Sequence, residues 1–328
     1  MTAATDTDFA DAADPFRSEL VAHCYRMLGS LHDAEDAVQE TYVRAWRGYD
    51  RFEGRTSLRR WLYTIATRAC LRALENTARR PLPSGLGAPS EDHRAELPRP
   101  QTDIAWLQPI PEVLLRRDTD DPASIIAAQA GIRLAFIAAL QHLPARQRAV
   151  LVLRDVLAWS AADAATMLDT SVAGVNSALQ RARGHLQRLG LAEAEIAEPD
   201  DAETRELVDS YANAFAHADI NGLVALLRAD VELEMPPQQV WFTGRDAVLG
   251  FLSTRVLHRP GSWRMLPTRA NGQSALFAYE RHRDGGYRPH GVQVLTIIDG
   301  RIARITAFND ATLVLAAAVS GRLPERIE

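Results

Sequence analysis

Proline is absent from Phe16 to Arg80 and then occurs eight times between residues 81 and 122. A prolyl ring removes an amide donor and clashes with the preceding turn, so long helices are allowed before residue 81 and forbidden over 81–122. Within the proline-free stretch, apolar residues recur at spacings of three and four: Leu20, Cys24, Met27, Leu28 and Leu31, then Ala37, Val38, Thr41, Tyr42, Ala45 and Trp46. That period predicts helices packed through one face. Asp33 is the expected cap of the second. Residues 48–57 read as a loop, and Thr56 or Ser57 caps a third helix to about Thr77, with Leu58, Trp61, Leu62, Ile65, Ala69 and Leu74 inward. The proline-rich stretch reads as a linker. Its Ile104, Trp106, Leu107, Ile110, Val113, Leu114 and Leu115 are too apolar for a free tether and are expected to dock.

At 328 residues the chain is expected to hold two or three domains. A second helical unit is expected over 123–189 and an acidic hinge over 190–203. From residue 204 the texture changes. Two helices (204–217 and 219–228) precede strand-like runs at Val231–Met235, Ser274–Arg281, Gly291–Ile298 and Arg301–Phe308, interrupted by a helix near 245–257. Asp299-Gly300 is a hairpin signal. Residues 204–310 therefore read as an α+β domain with a curved antiparallel sheet, followed by a tail, 311–328. No apolar run approaches the ~20 residues of a membrane span. Met1 to Asp14 lacks the basic and apolar regions of a signal peptide, which places the protein in the cytoplasm. Cys24 and Cys70 form no metal or disulfide pattern and read as small core residues. No metal, cofactor or catalytic constellation is expected.

The net charge of -5 hides a segregation. Ten arginines lie between Arg44 and Arg80 against three acids, whereas His32 to Glu40 carries Asp33, Glu35, Asp36 and Glu40. Two partners of opposite sign are implied. The chain has no lysine, so arginine, whose planar fork suits phosphates and guanine edges, carries every basic role. Asp33, Asp36 and Glu40, with Gln39 adjacent, crowd one helix, which suits a basic partner surface. The helix dipole alone accounts for Asp33, Glu35 and Asp36 but less well for Gln39 and Glu40. Downstream, Tyr49, Phe52, Arg55, Arg59, Arg60, Trp61, Tyr63, Arg68 and Arg72 interleave aromatic and basic groups, as capture of unpaired DNA requires. Trp61 also reads as core.

Residues 161–168 and a second helix capped by Thr170 form a helix-turn-helix pattern. Val175, Leu179, Ala182 and Leu186 fall on one stripe; Ser171, Gly174, Asn176, Ser177, Gln180, Arg181 and Arg183 fall opposite. A polar and basic exposed face on a second helix is what major-groove reading needs. A solvated amphipathic helix shows the same pattern.

Cys24-Tyr-Arg-Met-Leu-Gly-Ser30, Asp33-Ala-Glu-Asp-Ala-Val-Gln-Glu-Thr41, Arg44-Ala-Trp46, Phe52-Glu-Gly-Arg-Thr-Ser-Leu58 and Trp61-Leu-Tyr-Thr-Ile-Ala66 resemble conserved region two of the extracytoplasmic-function group of sigma-70-family factors. Leu143-Pro-Ala-Arg-Gln-Arg148 through Arg183 resembles region four. The resemblance implies two all-α domains: region two over 10–80 and the region-four helix-turn-helix over 123–189, joined by the linker 81–122. It implies that Asp33, Glu35, Asp36, Gln39 and Glu40 dock on the clamp helices of the RNA polymerase core's largest subunit, with region four at the flap. It implies that Arg55, Arg59, Arg60, Trp61, Arg68 and Arg72 bind and melt the minus-ten element as single strands. Thr170, Ser171, Gly174, Asn176, Ser177, Gln180, Arg181 and Arg183 would read the duplex at minus thirty-five.

Tyr211-Ala-Asn-Ala-Phe215, Asp219, Glu234-Met-Pro-Pro237, Trp241-Phe-Thr-Gly244 and Asp299-Gly-Arg301 resemble the SnoaL-like α+β cones. Glu232, Glu234, His258, Tyr279, His290 and Asp310 are acid–base candidates there, but their spacing gives no dyad. A small ligand and a regulatory role in cis both stay open. The expected function is promoter-specific initiation rather than catalysis. The rival reading, a one-component helix-turn-helix regulator with a ligand-binding cone, leaves residues 16–80 idle.

Overall fold

Gly29, at φ +70°, and the extended Ser30 after it set the frame of the N-terminal helices. The computed structural model describes residues 9–52, 57–75, 79–101, 103–115, 127–189, 199 and 201–319. The left-handed glycine closes α1 (Arg17–Leu28), its amide donating to Tyr25 O at 2.7 Å. Ser30 then opens α2 (Leu31–Gly48), its Oγ accepting from Asp33 N at 3.2 Å. The expected cap Asp33 therefore sits inside the first turn, because the extended backbone that a cap needs falls at Ser30. Ser57 caps α3 (Leu58–Leu74), accepting from Arg60 N at 3.3 Å. Thr77, its expected end, lies outside the described residues.

The chain divides into two compact units, Met1–Arg80 with Leu115–Ala192 and Pro81–Leu114 with Glu193–Glu328. In the first, α1 is buried along nearly its whole circumference, with α2 and α3 packed on it. Beyond a short α4 (Glu112–Leu115) come α5 (Leu134–Leu140), α6 (Ala145–Leu151, continued by a π turn at Val152–Val156), α7 (Ala161–Met167) and α8 (Val172–Arg188). Asp169 takes φ +51° at the bend between α7 and α8. Ser171, not Thr170, caps α8, accepting from Gly174 N at 3.0 Å. An added Cβ at Gly174 would meet Thr170 Oγ1 at 2.8 Å, so the Thr170 side chain would have to turn away.

Two buried arginines tie this unit together. Arg26 donates to the carbonyls of Ala127, Ala128 and Ala130, at 2.6 and 2.9 Å for the first two. Arg148 returns the contact by donating to Met27 O at the end of α1, and to Gln141 Oε1 at 3.0 Å. Each supplies donors to carbonyls in the last turn of a helix, where the helix has no further amide to offer. Burial lowers both guanidinium pKa values to about 10. Next to Arg26, His23 is fully buried against Thr67 at 2.9 Å, and burial lowers its pKa to about 3. Cys24 and Cys70 are free and buried.

In the second unit, α9 (Ala202–Ala216) and α10 (Ile220–Leu226) lead into a six-stranded sheet. The strands are β1 (Leu227–Glu234), β2 (Trp241–Thr243), β3 (Trp263–Ala270), β4 (Gln273–Arg281), β5 (Tyr287–Ile298) and β6 (Arg301–Phe308), in spatial order β2-β1-β6-β5-β4-β3. The sheet is mixed rather than antiparallel throughout, because β1 and β6 run parallel. α11 (Arg245–Phe251) runs into a π turn at Leu252–Val256. Tyr211, Phe215, Phe242, Phe251, Trp263 and Leu276 share one apolar cluster. α12 (Ala311–Val319) packs on β5, in a segment expected to be tail. Residues 81–114 fold with this unit: Leu107 and Ile110 are fully buried. Most of the expected acidic hinge, 190–198 and 200, lies outside the described residues.

Candidate functional site

The α2 face expected to carry acids is exposed at Asp36, Gln39 and Glu40. The same face continues into Val43 and Trp46, which are 47% and 48% exposed. Trp46 had been read as inward; the helix turns it out because Ala34, Ala37, Val38, Thr41 and Ala45 already fill the buried stripe. Positions 36, 39, 40, 43 and 46 follow one another at three and four, so they form one strip along the helix. Asp33 pairs with Arg80, Glu35 with Arg17 at 3.9 Å, and Glu40 with both Arg44 and Arg72. Val43 was missed because a valine among helical charges carries no signal of its own exposure.

The arginines of α3 are largely engaged within the protein. Arg59 forks onto the buried Glu19, Nε to Oε1 at 2.8 Å and Nη2 to Oε2 at 2.7 Å. Tyr63 OH donates to the same carboxylate at 3.2 Å, and the guanidinium lies over the Tyr63 and Trp159 rings at 5.1 and 5.5 Å. The hydrogen bond that Arg59 donates to Glu19 raises the Arg59 pKa, fixing its charge. Arg60 pairs with Asp163 of α7 at 2.6 Å and Arg72 with Glu40 at 3.5 Å. Arg68 is exposed. Arg55 lies outside the described residues. Trp61 is half-buried, stacked on Phe52 at 4.9 Å between centroids, and Phe52 in turn stacks on Tyr49. These rings form an aromatic shelf at the start of α3.

On α8 the expected division holds. Val175, Leu179 and Ala182 are buried, while Thr170, Ser171, Asn176, Ser177, Gln180, Arg181 and Arg183 are exposed and Gly174 is half-buried. Arg181 Nη1 donates to Ser177 Oγ at 2.6 Å, which lays the guanidinium along the exposed face. Arg183 forks onto Asp155 at 2.7 and 2.9 Å, and that hydrogen bond raises its pKa.

Of the acid–base candidates of the cone, Glu232 and Glu234 share Arg304, while Asp310 and His290 sit in contacts of their own. Glu234 is fully buried on β1 beside Ser84 and Arg304, and burial raises its pKa. Arg304 pairs with Glu232 as well. Asp310 Oδ1 accepts from Thr312 N at 2.9 Å at the start of α12. His290 sits edge-on to Trp263 and 3.5 Å from Glu280. Tyr211 OH donates to Gln293 Oε1 at 2.8 Å inside the cone. Among the described residues no group of three His, Cys, Asp or Glu side chains is placed to hold a metal ion. No helix among them is long and apolar enough to cross a membrane.

Three stretches of the chain match known families: residues 13–80 Sigma-70 region 2, residues 133–186 Sigma-70 region 4, and residues 208–305 the SnoaL-like domain. The chain is 46% identical to the ECF RNA polymerase sigma factor SigG of Mycobacterium tuberculosis, over 93% of this chain and 82% of the relative. It is 28% identical to SigJ of the same species, over 89% of this chain and 88% of SigJ. The crystal structure of Mycobacterium tuberculosis SigJ shares the fold, with a TM-score of 0.55 at 24% identity over 92% of this chain and 96% of that one.

Proposed function

The chain belongs to the ECF RNA polymerase sigma factors, which direct transcription initiation, and from that premise we propose how its surfaces divide the work. Polymerase core binds the strip on α2 built from Asp36, Gln39 and Glu40 together with Val43 and Trp46, with Asp33 and Glu35 at its edge. The contact falls on the clamp helices of the largest subunit. The exposed apolar pair carries this reading. A helix that presents valine and tryptophan to solvent beside clustered acids has a surface suited to a basic, partly apolar partner.

Promoter DNA is shared between two helices. Arg60, Arg68 and Arg72, with Trp61 and the Phe52–Tyr49 shelf, hold separated strands at the minus-ten element; Arg55 joins them on the strength of its place in the sequence. Opening duplex costs roughly 1.4 kcal/mol per stacked step, which stacking on aromatic rings and phosphate neutralisation recover. Arg59 anchors this surface through Glu19 rather than leading it. On α8, Asn176, Ser177, Gln180 and Arg181 read bases at minus thirty-five. Thr170, Ser171, Gly174 and Arg183 set its start and flank.

The C-terminal cone acts in cis rather than by turnover. Its interior is filled by its own Tyr211, Phe215, Phe242, Phe251 and Trp263, which favours control through the protein's own chain over control by a bound molecule.

Run-off transcription with purified polymerase core and a promoter library tests the assignment. Reversing Asp36 and Glu40 to arginine should weaken core binding. Arg181→Ala should spare core binding and impair promoter selection. Equal loss in both assays for both variants would show the surfaces to be misassigned.

A further inference from the structure

The segment that joins region two to region four is seated on the cone along most of its length. Trp241 Nε1 donates to Gly87 O at 2.9 Å, and Ser90 N donates back to Trp241 O at 2.8 Å. Arg255, exposed on the π turn after α11, donates through Nη2 to Arg94 O at 2.7 Å and Ala95 O at 3.0 Å. His93 lies directly on Gly250, where an added Cβ would come within 2.6 Å of its Nε2. Leu97 packs on the apolar cluster of the cone. Further along, Ile110 N donates to Asn271 Oδ1 at 2.9 Å and Asn271 N donates to Ile110 O at 3.1 Å. These bonds use backbone groups of the segment that no helix or sheet of its own satisfies.

Seated in this way, the segment closes on itself: Leu107 N donates to Pro81 O at 3.1 Å. Extended, the chain from Pro81 to Leu107 would reach about 90 Å. Here its ends are one hydrogen bond apart. Elements named minus ten and minus thirty-five are separated by about 85 Å of duplex at 3.4 Å per pair. The two helical parts that would read them are closed on each other in the first unit, through Arg26, Arg148 and the Arg60–Asp163 pair.

We propose that the cone is a buckle on this tether. With the segment seated, regions two and four are held at short reach; contact with both promoter elements requires the segment to leave the Trp241–Arg255 edge and the Asn271 turn. The proposal rests on the assignment of α3 and α8 to the two elements. It adds where the cone acts: on the length of chain between the DNA-reading parts, not on either DNA surface.

The test uses the full chain as wild type, as Arg255→Ala/Gly250→Ala, and as Leu97→Ser. Arg255 is exposed and Gly250 is helical, so the double variant leaves the cone's own packing in place. Leu97→Ser makes the same break from the linker side. Hydrogen exchange at the Ser90 and Leu107 amides reads seating. Run-off transcription with polymerase core reads function, on a promoter with both elements and on one with the minus-ten element alone. Both amides should exchange slowly in the free wild type and about tenfold faster or more in its two-element promoter complex. Both variants should unseat the segment when free. They should raise output about two- to fivefold on the two-element promoter, and by less than about twofold on the other, as expected for losing one or two hydrogen bonds. Amides that stay protected in the wild-type promoter complex overturn the proposal, as does an unseated segment with unchanged output. Wild-type protein with no run-off product from any promoter would instead remove the functional assignment itself, so the two failures are distinct.

Discussion

α3 and α8 are both helices whose exposed arginines face DNA in the proposed assignment, yet they are prepared in opposite ways. On α3 the guanidinium groups of Arg59, Arg60 and Arg72 already meet Glu19, Asp163 and Glu40. On α8 the proposed base readers Asn176, Gln180 and Arg181 are exposed and meet no acid among the described residues, whereas the flanking Arg183 meets Asp155. A duplex reader gains from a preset surface, because B-form DNA offers a fixed groove. A strand-separating surface has no fixed partner until the duplex opens. Internal acids hold its arginines in place meanwhile; in the proposed assignment Arg60 and Arg72 exchange theirs for phosphates, while Arg59 keeps Glu19.

The comparison is broken most strongly at Glu19. Glu19→Ala leaves Arg59 part-buried without its carboxylate and should lower the unfolding free energy of the helical unit by about 2–3 kcal/mol, the lower end of a buried-pair loss because Arg59 keeps access to water. Urea unfolding measures it. The same deletion on the α8 side, Asp155→Ala, should leave the unfolding midpoint unmoved, since Arg183 is exposed. Acidification comes next. His23 is neutral when folded, with a pKa of about 3 against 6.5 unfolded, so the unfolded chain binds the extra proton. Stability is full above pH 6.5 and falls as pH drops towards 3, by about 2 kcal/mol between pH 7 and 5. Urea titrations at the two pH values read this, and it should be absent from His23→Asn.

Smaller effects sharpen the contrast in function. Arg181→Ala should cost about 1–2 kcal/mol in affinity for a minus-thirty-five duplex, measured by titration against a scrambled duplex, with core binding unchanged. Asp163→Asn frees Arg60, and should raise the rate of minus-ten opening about two- to threefold, followed by fluorescence of a base analogue in the melted strand. A rate that falls would mean that the Arg60–Asp163 pair helps opening rather than delaying it.

Much of the fold was readable because local chemistry decides it. The proline gap marks the helical part, the Val175–Leu179–Ala182 stripe orients α8, and the apolar run Ile104–Leu115 declares that the linker must dock. Caps were misplaced by one residue at Thr170 and three at Asp33, where several oxygen-bearing side chains stand close together and only the backbone angle chooses. β2 and β3 were not expected. β2 spans three residues, and β3, at the edge of the sheet, carries Pro267, which weakens a strand pattern. α12 was missed because Ala311–Val319 has no polar face: its helical period is hidden. The parallel β1–β6 pair and the Arg59–Glu19 fork join residues 40 or more positions apart, beyond the range of any periodicity. The reciprocal arginines had a visible signal, a cation embedded in an otherwise apolar helix, but their carbonyl partners lie about 100 residues away.

The seat of residues 81–114 is built from residues that a ribosome makes last. Trp241, Arg255 and Asn271 follow the final turn of α8 by tens of residues, and at roughly 5–20 residues per second their synthesis lags by several seconds at least. If the two helices read DNA and the seat restrains them as proposed, a nascent chain carries both with an unfastened tether during that interval. Each newly made molecule then passes once through an unrestrained form, whose abundance follows translation speed rather than any signal.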